Sequence, residues 1–178
     1  MTAPIDGVMA IDLEIHADVR GSFAEFFRQS WLPTDHAAVQ GNVSRSTSGV
    51  LRGMHFHRRQ WDYWFVVAGM AFVALADLRN DSPTERATMT LRLGEDEPRG
   101  LFIPSGVAHG FFAESTVVLG YLNDRYFDGS DEFGFAWNDP HLEIDWPTAD
   151  PILSDRDRAN PSLAEALQDP VPYTAALG

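Results

Sequence analysis

The sequence predicts an all-β domain, a sandwich or small barrel of short strands. Three observations predict it: short alternating apolar runs recur at near-regular spacing, Gly/Pro/Asn/Asp clusters separate them, and helical periodicity is scarce before residue 160. The chain is organised around Gly49 to Gly69, GVLRGMHFHRRQWDYWFVVAG. This stretch carries His55 and His57 on alternate residues, followed by Asp62. On a strand, residues two apart look to the same face. Both imidazoles then face one way, with Arg52 shortly before them. Later, PSGVAH (Pro104 to His109) puts Pro and Gly at a turn that delivers His109. The expectation is that these two segments build one pocket inside the barrel.

In chain order, Asp12 to His16 has β character. DVRGSFAEFF (Asp18 to Phe27) sets Arg-Gly at a turn before alternating Phe23, Glu25 and Phe27. Asp35 to Val39 suits one helical turn. QGNVSRSTS (Gln40 to Ser48) alternates in polar residues and is suited to line a pocket on one face. Tyr63 to Ala76 is an apolar run of 14 residues interrupted by Gly69, too short to span a bilayer and better read as two core strands around a turn. Strands are expected within AFVALADLR, TMTLRLG, Gly100 to Pro104 and Ser115 to Tyr126, with NDSPT as a strong turn after the first. Glycine, proline and acidic residues make GEDEP (Gly94 to Pro98) a solvated loop. PSLAEALQ (Pro161 to Gln168) is the one clear helix, with Asn160 expected as N-cap and Glu165 in its first turns. With no repeat or low-complexity linker, residues 1–178 read as one domain.

Composition excludes several chemistries. The chain has no cysteine, which removes disulfides, thiolate metal sites and cysteine nucleophiles. Its 13 basic residues are all arginine, so lysine Schiff-base and general-base chemistry is absent as well. A net charge of −13 repels a phosphate backbone and argues against general nucleic-acid binding. Arginine forks still suit local, bidentate recognition of a small anionic molecule. The N-terminus has neither a basic n-region nor a long apolar h-region, so no secretory signal is expected and the location expected is cytoplasmic, without membrane association. His16, His36 and His141 lie in polar surroundings and are expected at the surface. Of Trp61, Tyr63, Trp64 and Phe65, alternation puts half in the core and leaves the others able to stack on a base.

Taken together, NVSRSTSGVLRGMHF, DLRNDSPT, IPSGVAHGF, WNDPHLEIDWP and LSDRD, in this order, resemble the dTDP-4-dehydrorhamnose 3,5-epimerase family across roughly Asp18 to Leu167. The resemblance implies a double-stranded β-helix, the cupin-type jelly-roll barrel, to which the residues Pro161 to Gln168 add a short C-terminal helix. It also implies a homodimer that exchanges N-terminal strands. Members act without metal or other cofactor on dTDP-4-keto-6-deoxy sugars, moving a proton from one face of a carbon beside the keto group to the other. The family's general base falls on His55, its partner carboxylate on Asp157, and its general acid on Tyr121. Nucleotide- and diphosphate-contacting positions fall on Arg20, Phe23, Glu25, Gln40, Asn42, Arg52 and Tyr126, and His109 joins the substrate-binding set. The chemistry of these residue types agrees: an imidazole titrates near neutrality, an adjacent carboxylate fixes its tautomer, and a tyrosine across the pocket can protonate the other face.

Two positions depart from the family. Where members carry glutamine or another non-ligand residue, this chain has His57, and where they carry a lysine near the keto oxygen it has Asp62. The spacing Gly49, His55-x-His57, Asp62, Gly69, with His109 to follow, reproduces a metal-binding cupin pattern. His55, His57, Asp62 and His109 would suit a divalent Fe, Mn, Ni, Co or Zn ion. Against this stands a simple reading in which His57 points to solvent beside Arg58 and Arg59 and Asp62 pairs with one of them. A metal on His55 would occupy the lone pair that a base needs. The two schemes compete for one residue, and the metal-free epimerase is the leading reading. A sugar-nucleotide binder without turnover is the third.

Overall fold

Two five-stranded antiparallel sheets face one another in the computed structural model, which describes residues 5–173. The strands in chain order are β1 (Met9–Asp12), β2 (Ile15–Asp18), β3 (Gly21–Ala24), β4 (Gln40–Ser46), β5 (Leu51–Phe56), β6 (Asp62–Ala68) and β7 (Met70–Asp77). They continue with β8 (Arg79–Asn80), β9 (Thr88–Gly94), β10 (Arg99–Ile103), β11 (Val107–Ala113), β12 (Val117–Asn123) and β13 (Phe133–Gly134). Helices α1 (Asp155–Arg158) and α2 (Leu163–Ala166) and strand β14 (Val171–Pro172) complete the order. One sheet runs β1-β10-β6-β12-β4, the other β13-β5-β11-β7-β9. This alternation of strands between two facing sheets is the double-stranded β-helix of the cupin-type jelly roll.

Period-two alternation sorts each strand between inside and outside. Leu75, Leu101, Phe111, Val117 and Leu119 fill the interior between the sheets. On the back of the second sheet, Met54 and Phe56 are covered by Phe135, Leu142 and Leu163 from the C-terminal segment. On the back of the first, Tyr63 and Phe102 pack with Leu32 and Trp61. Each fully buried ring is worth about 3–5 kcal/mol against truncation to alanine.

The run Tyr63 to Ala76 does form two strands around a turn. Gly69 makes that turn at φ 83°, where an added Cβ would lie 2.1 Å from the Thr116 carbonyl oxygen. Strands β9 and β12 fall within their expected segments, β10 starts one residue ahead of its own at Arg99, and the alternating stretch from Gln40 forms β4. Three local expectations are corrected. Asp35 to Val39 forms no helical turn; the short 3-10 turn sits earlier, at Gln29–Trp31. The C-terminal helix is capped by Ser162, not Asn160, because Ser162 and Glu165 form a reciprocal capping box that starts the helix at Leu163. A second short helix, α1, lies over LSDRD.

Candidate active site

The geometry of β5 decides which side chains meet in the pocket. Against β11, His55 is opposite His109, but Arg52 is opposite Phe111: three residues of β5 span two of β11. This β-bulge contains Gly53 at φ 132°, where a Cβ would lie 2.6 Å from the Cα of Gly110. The extra residue reverses the alternation. Arg52, an odd number of residues from His55, therefore joins His55 and His57 in lining one pocket.

That pocket measures about 330 Å³ and opens between the two sheets. From β4 come Gln40 and Asn42, and from β12 comes Tyr121, directly opposite Asn42 in the register. Asp62 at the start of β6 and His109 on β11 also line it. Eight of the expected residues thus converge: Gln40, Asn42, Arg52, His55, His57, Asp62, His109 and Tyr121.

His55 Nε2 lies 2.6 Å from Asp157 Oδ1. A chain of local contacts carries Asp157 there. The Leu51 amide donates to the Ile152 carbonyl, which ties the segment before α1 to the start of β5. Ser154 then caps α1, accepting from the Asp157 amide and donating its hydroxyl to Asp157 Oδ2 at 2.9 Å. Burial would raise the Asp157 carboxyl. The hydrogen bonds and charge of His55, together with Ser154, outweigh that and hold it below the usual carboxylate range. With Nε2 engaged, Nδ1 is the ring nitrogen left to exchange a proton in the pocket. Tyr121 is pushed the other way: burial first, then the carboxylates of Asp62 and Glu132, raise its phenol, so it stays protonated at neutral pH.

His57 is corrected from the solvent-facing reading. It is 6% exposed, and its Nδ1 lies 2.8 Å from the Asp131 carbonyl oxygen. Arg58 and Arg59 turn away from Asp62, Arg58 toward Asp169 and Arg59 toward Asp128. Asp62 instead accepts from Asn123 and Gln60. Its carboxyl is pushed up to about 6, chiefly by burial, with His57, Gln60 and Asn123 opposing. His109 is lowered well below its ordinary value, by burial first and then by the charges of His57 and His55. The four-ligand metal set is also corrected. Ligand atoms of His57, Asp62 and His109 lie within 4.8 Å of one another, but His55 is outside this group, because Asp157 holds it.

Arg20, Phe23 and Glu25 do not line the pocket of their own chain. They belong to the β2–β3 hairpin and the residues after it; among the described residues these two strands pair only with each other. Arg20 pairs with Asp18 in the turn, Phe23 is 70% exposed, and Glu25 pairs with Arg28. Tyr126 lines an adjoining groove with Arg59 and Arg125, and this groove shares His57 and Glu132 with the pocket. His16, His36 and His141 are exposed, as expected. Trp61 and Tyr63 are core, while Trp64 is buried at the pocket wall.

Sequence reasoning missed Asn123, Gln60, Glu132 and Ser154. Alternation signalled Asn123, two residues beyond Tyr121 on the same strand face, and S-x-x-D signalled the Ser154 cap. Glu132 lies in an irregular loop and had no signal.

A profile of the dTDP-4-dehydrorhamnose 3,5-epimerase family matches residues 2–165. The chain belongs to this family. It is therefore an isomerase of the epimerase type. A dTDP-4-dehydrorhamnose 3-epimerase of Streptomyces niveus is 38% identical over 91% of this chain and 82% of its own length. The crystal structure of NovW, a 4-keto-6-deoxy sugar epimerase from the novobiocin gene cluster of Streptomyces spheroides, superposes with a TM-score of 0.89 at 36% identity, covering 98% of this chain and 92% of NovW. RmlC of Legionella pneumophila, solved in complex with dTDP-4-keto-L-rhamnose, gives 0.87 at 34% identity, covering 96% of each chain. Family membership favours the epimerase reading over a cupin metalloenzyme built on His55. Among the described residues no helix is long and apolar enough to cross a membrane.

Proposed function

We propose that the chain epimerises a dTDP-4-keto-6-deoxyhexose at C3, C5 or both, with His55 as general base, Asp157 as its orienting carboxylate and Tyr121 as general acid. The observation that carries this is the His55–Asp157 pair opening onto the same pocket as Tyr121. His55 takes the proton from a carbon beside the keto group, and the C–H electron pair moves to the keto oxygen as an enolate. Tyr121 then delivers its phenolic proton to the opposite face, the enolate collapses to the ketone, and solvent restores both groups. General acid–base catalysis of this kind contributes roughly 10²–10⁴-fold. These transfers need no organic cofactor. Arg52, Gln40 and Asn42 at the pocket wall, and Tyr126 in the adjoining groove, bind the nucleotide and diphosphate.

The exposed β2–β3 hairpin supports a homodimer in which each chain lends Arg20, Phe23 and Glu25 to its partner's pocket. Exposed Ile15 and Phe23 on the hairpin, and exposed Val43 on β4 at the edge of its sheet, give such a contact an apolar component.

The test is solvent exchange. Incubated with dTDP-4-keto-6-deoxyglucose in D₂O, the protein should wash deuterium into C3 or C5 and yield an inverted sugar, read by NMR and mass spectrometry. Binding of the sugar nucleotide without any wash-in would leave a non-catalytic binder.

A further inference from the structure

On the floor of the pocket two buried imidazoles converge on one buried carboxylate. His57 Nδ1 lies 2.8 Å from the Asp131 carbonyl oxygen, and His109 Nδ1 lies 3.1 Å from that of Val107. A carbonyl oxygen only accepts, so each Nδ1 carries a proton and Nε2 is the nitrogen each ring turns toward the pocket floor. Both Nε2 atoms face the same oxygen, Asp62 Oδ2, at 3.7 Å and 3.9 Å. Asp62 Oδ1 is occupied by Asn123 and Gln60, which leaves Oδ2 free. Three such groups buried together are unfavourable unless a proton or a metal cation sits between them.

We propose that His57, Asp62 and His109 form a binding site for one divalent cation of the Mn, Fe, Co, Ni or Zn kind at the pocket floor. A tetrahedral ion with bonds of about 2.1 Å spaces its ligand atoms roughly 3.4 Å apart; the two separations from Asp62 Oδ2 are 3.7 Å and 3.9 Å, and all three ligand atoms lie within 4.8 Å of one another. Two imidazoles and a carboxylate, without sulfur, suit such ions. Backbone carbonyls that hold the far ring nitrogen are what fixes a histidine as a ligand. Glu132 Oε1, 3.7 Å from His57 Nε2, is placed to supply a further ligand, while its other oxygen is held by Arg156 at 2.6 Å.

The site rests on the epimerase reading for its role. By the family resemblance, Asp62 falls where members carry a lysine beside the keto oxygen, and a carboxylate alone would oppose the enolate. A cation on Asp62 restores positive charge there and can polarise the carbonyl. His55, held by Asp157, remains free of the ion, so base and cation operate in one state.

The test uses full-length protein stripped with EDTA and titrated with Co²⁺ and Zn²⁺. The wild type should take up one equivalent, develop visible Co²⁺ bands of an N/O site and melt at higher temperature with metal. His57→Gln and Asp62→Asn should each weaken uptake at least about tenfold, whereas His141→Gln, at the surface, should bind as the wild type does. Near-UV circular dichroism checks that each variant is folded, and Asp62→Asn keeps the shape of the side chain. Absence of stoichiometric uptake by the wild type overturns the site, as does uptake that survives both substitutions. Deuterium wash-in keeps the two claims apart. Wash-in by protein that binds no metal sinks the cation and leaves the epimerase standing. Metal uptake without wash-in in either state does the reverse.

Discussion

His55 and Asp157 meet at 2.6 Å across a separation of 102 residues. The pair joins the second strand of the pocket wall to a one-turn helix near the C-terminus, and each partner depends on the other's position. Asp157→Asn should fold normally and lower kcat by about 10²-fold, with KM little changed, because the amide no longer fixes the imidazole tautomer. His55→Asn should lose about 10³-fold or more. Steady-state rates with deuterium wash-in at C3 and C5 check both; wild-type turnover in His55→Asn would remove it as the base.

Tyr121→Phe separates abstraction from reprotonation. The variant keeps its base, so exchange of the substrate proton with solvent should persist while inverted product falls by about 10²-fold. If inversion continues at the wild-type rate, the acid lies elsewhere in the pocket.

The hairpin can be tested by subunit mixing. Arg20→Ala and His55→Asn homodimers should each be impaired, and mixing them after mild unfolding should restore activity. In an exchanged dimer one pocket then combines an intact His55 with an intact Arg20 from its partner. No recovery on mixing, with dimers verified by native mass spectrometry, would place the hairpin over its own chain.

Gly53→Ala should cost about 1–3 kcal/mol of stability, because the new Cβ meets Gly110 and φ lies where alanine is strained. It should also raise KM, since relaxing the bulge turns Arg52 from the pocket. Urea unfolding and KM measured together test this; a loss of stability with KM unchanged would separate the bulge from Arg52 placement.

Asp77 carries an acid-dependent share of stability. Burial would raise its carboxyl, but hydrogen bonds from Arg79, Ser82 and Thr84 outweigh that and hold it below the usual range. A depressed folded-state value means this contribution is full above the unfolded carboxylate's titration and is lost as pH falls through the folded one. At neutral pH, Asp77→Asn should cost about 3–5 kcal/mol, because Arg79 is left buried without its partner. The gap between variant and wild type should narrow as pH drops below about 4, measured by urea unfolding at each pH.

Sequence by itself determined the strand pattern, the two histidine-bearing segments that form the pocket, and the family. These rest on period-two alternation, turn chemistry and contiguous motifs, all local along the chain. Tertiary structure decided the rest. The bulge at Gly53 put Arg52 on the histidine face, which strict alternation would have denied it. Packing of the segment before α1 against β5 gave His55 to Asp157 and so withdrew it from the metal pattern to which its spacing assigned it. The Asp131 carbonyl, in a loop more than 70 residues from His57, drew that ring inward and fixed its tautomer. Local periodicity says which way a side chain faces relative to its neighbours. Which distant group meets it is set by register and loop closure, and these are energies of the whole fold.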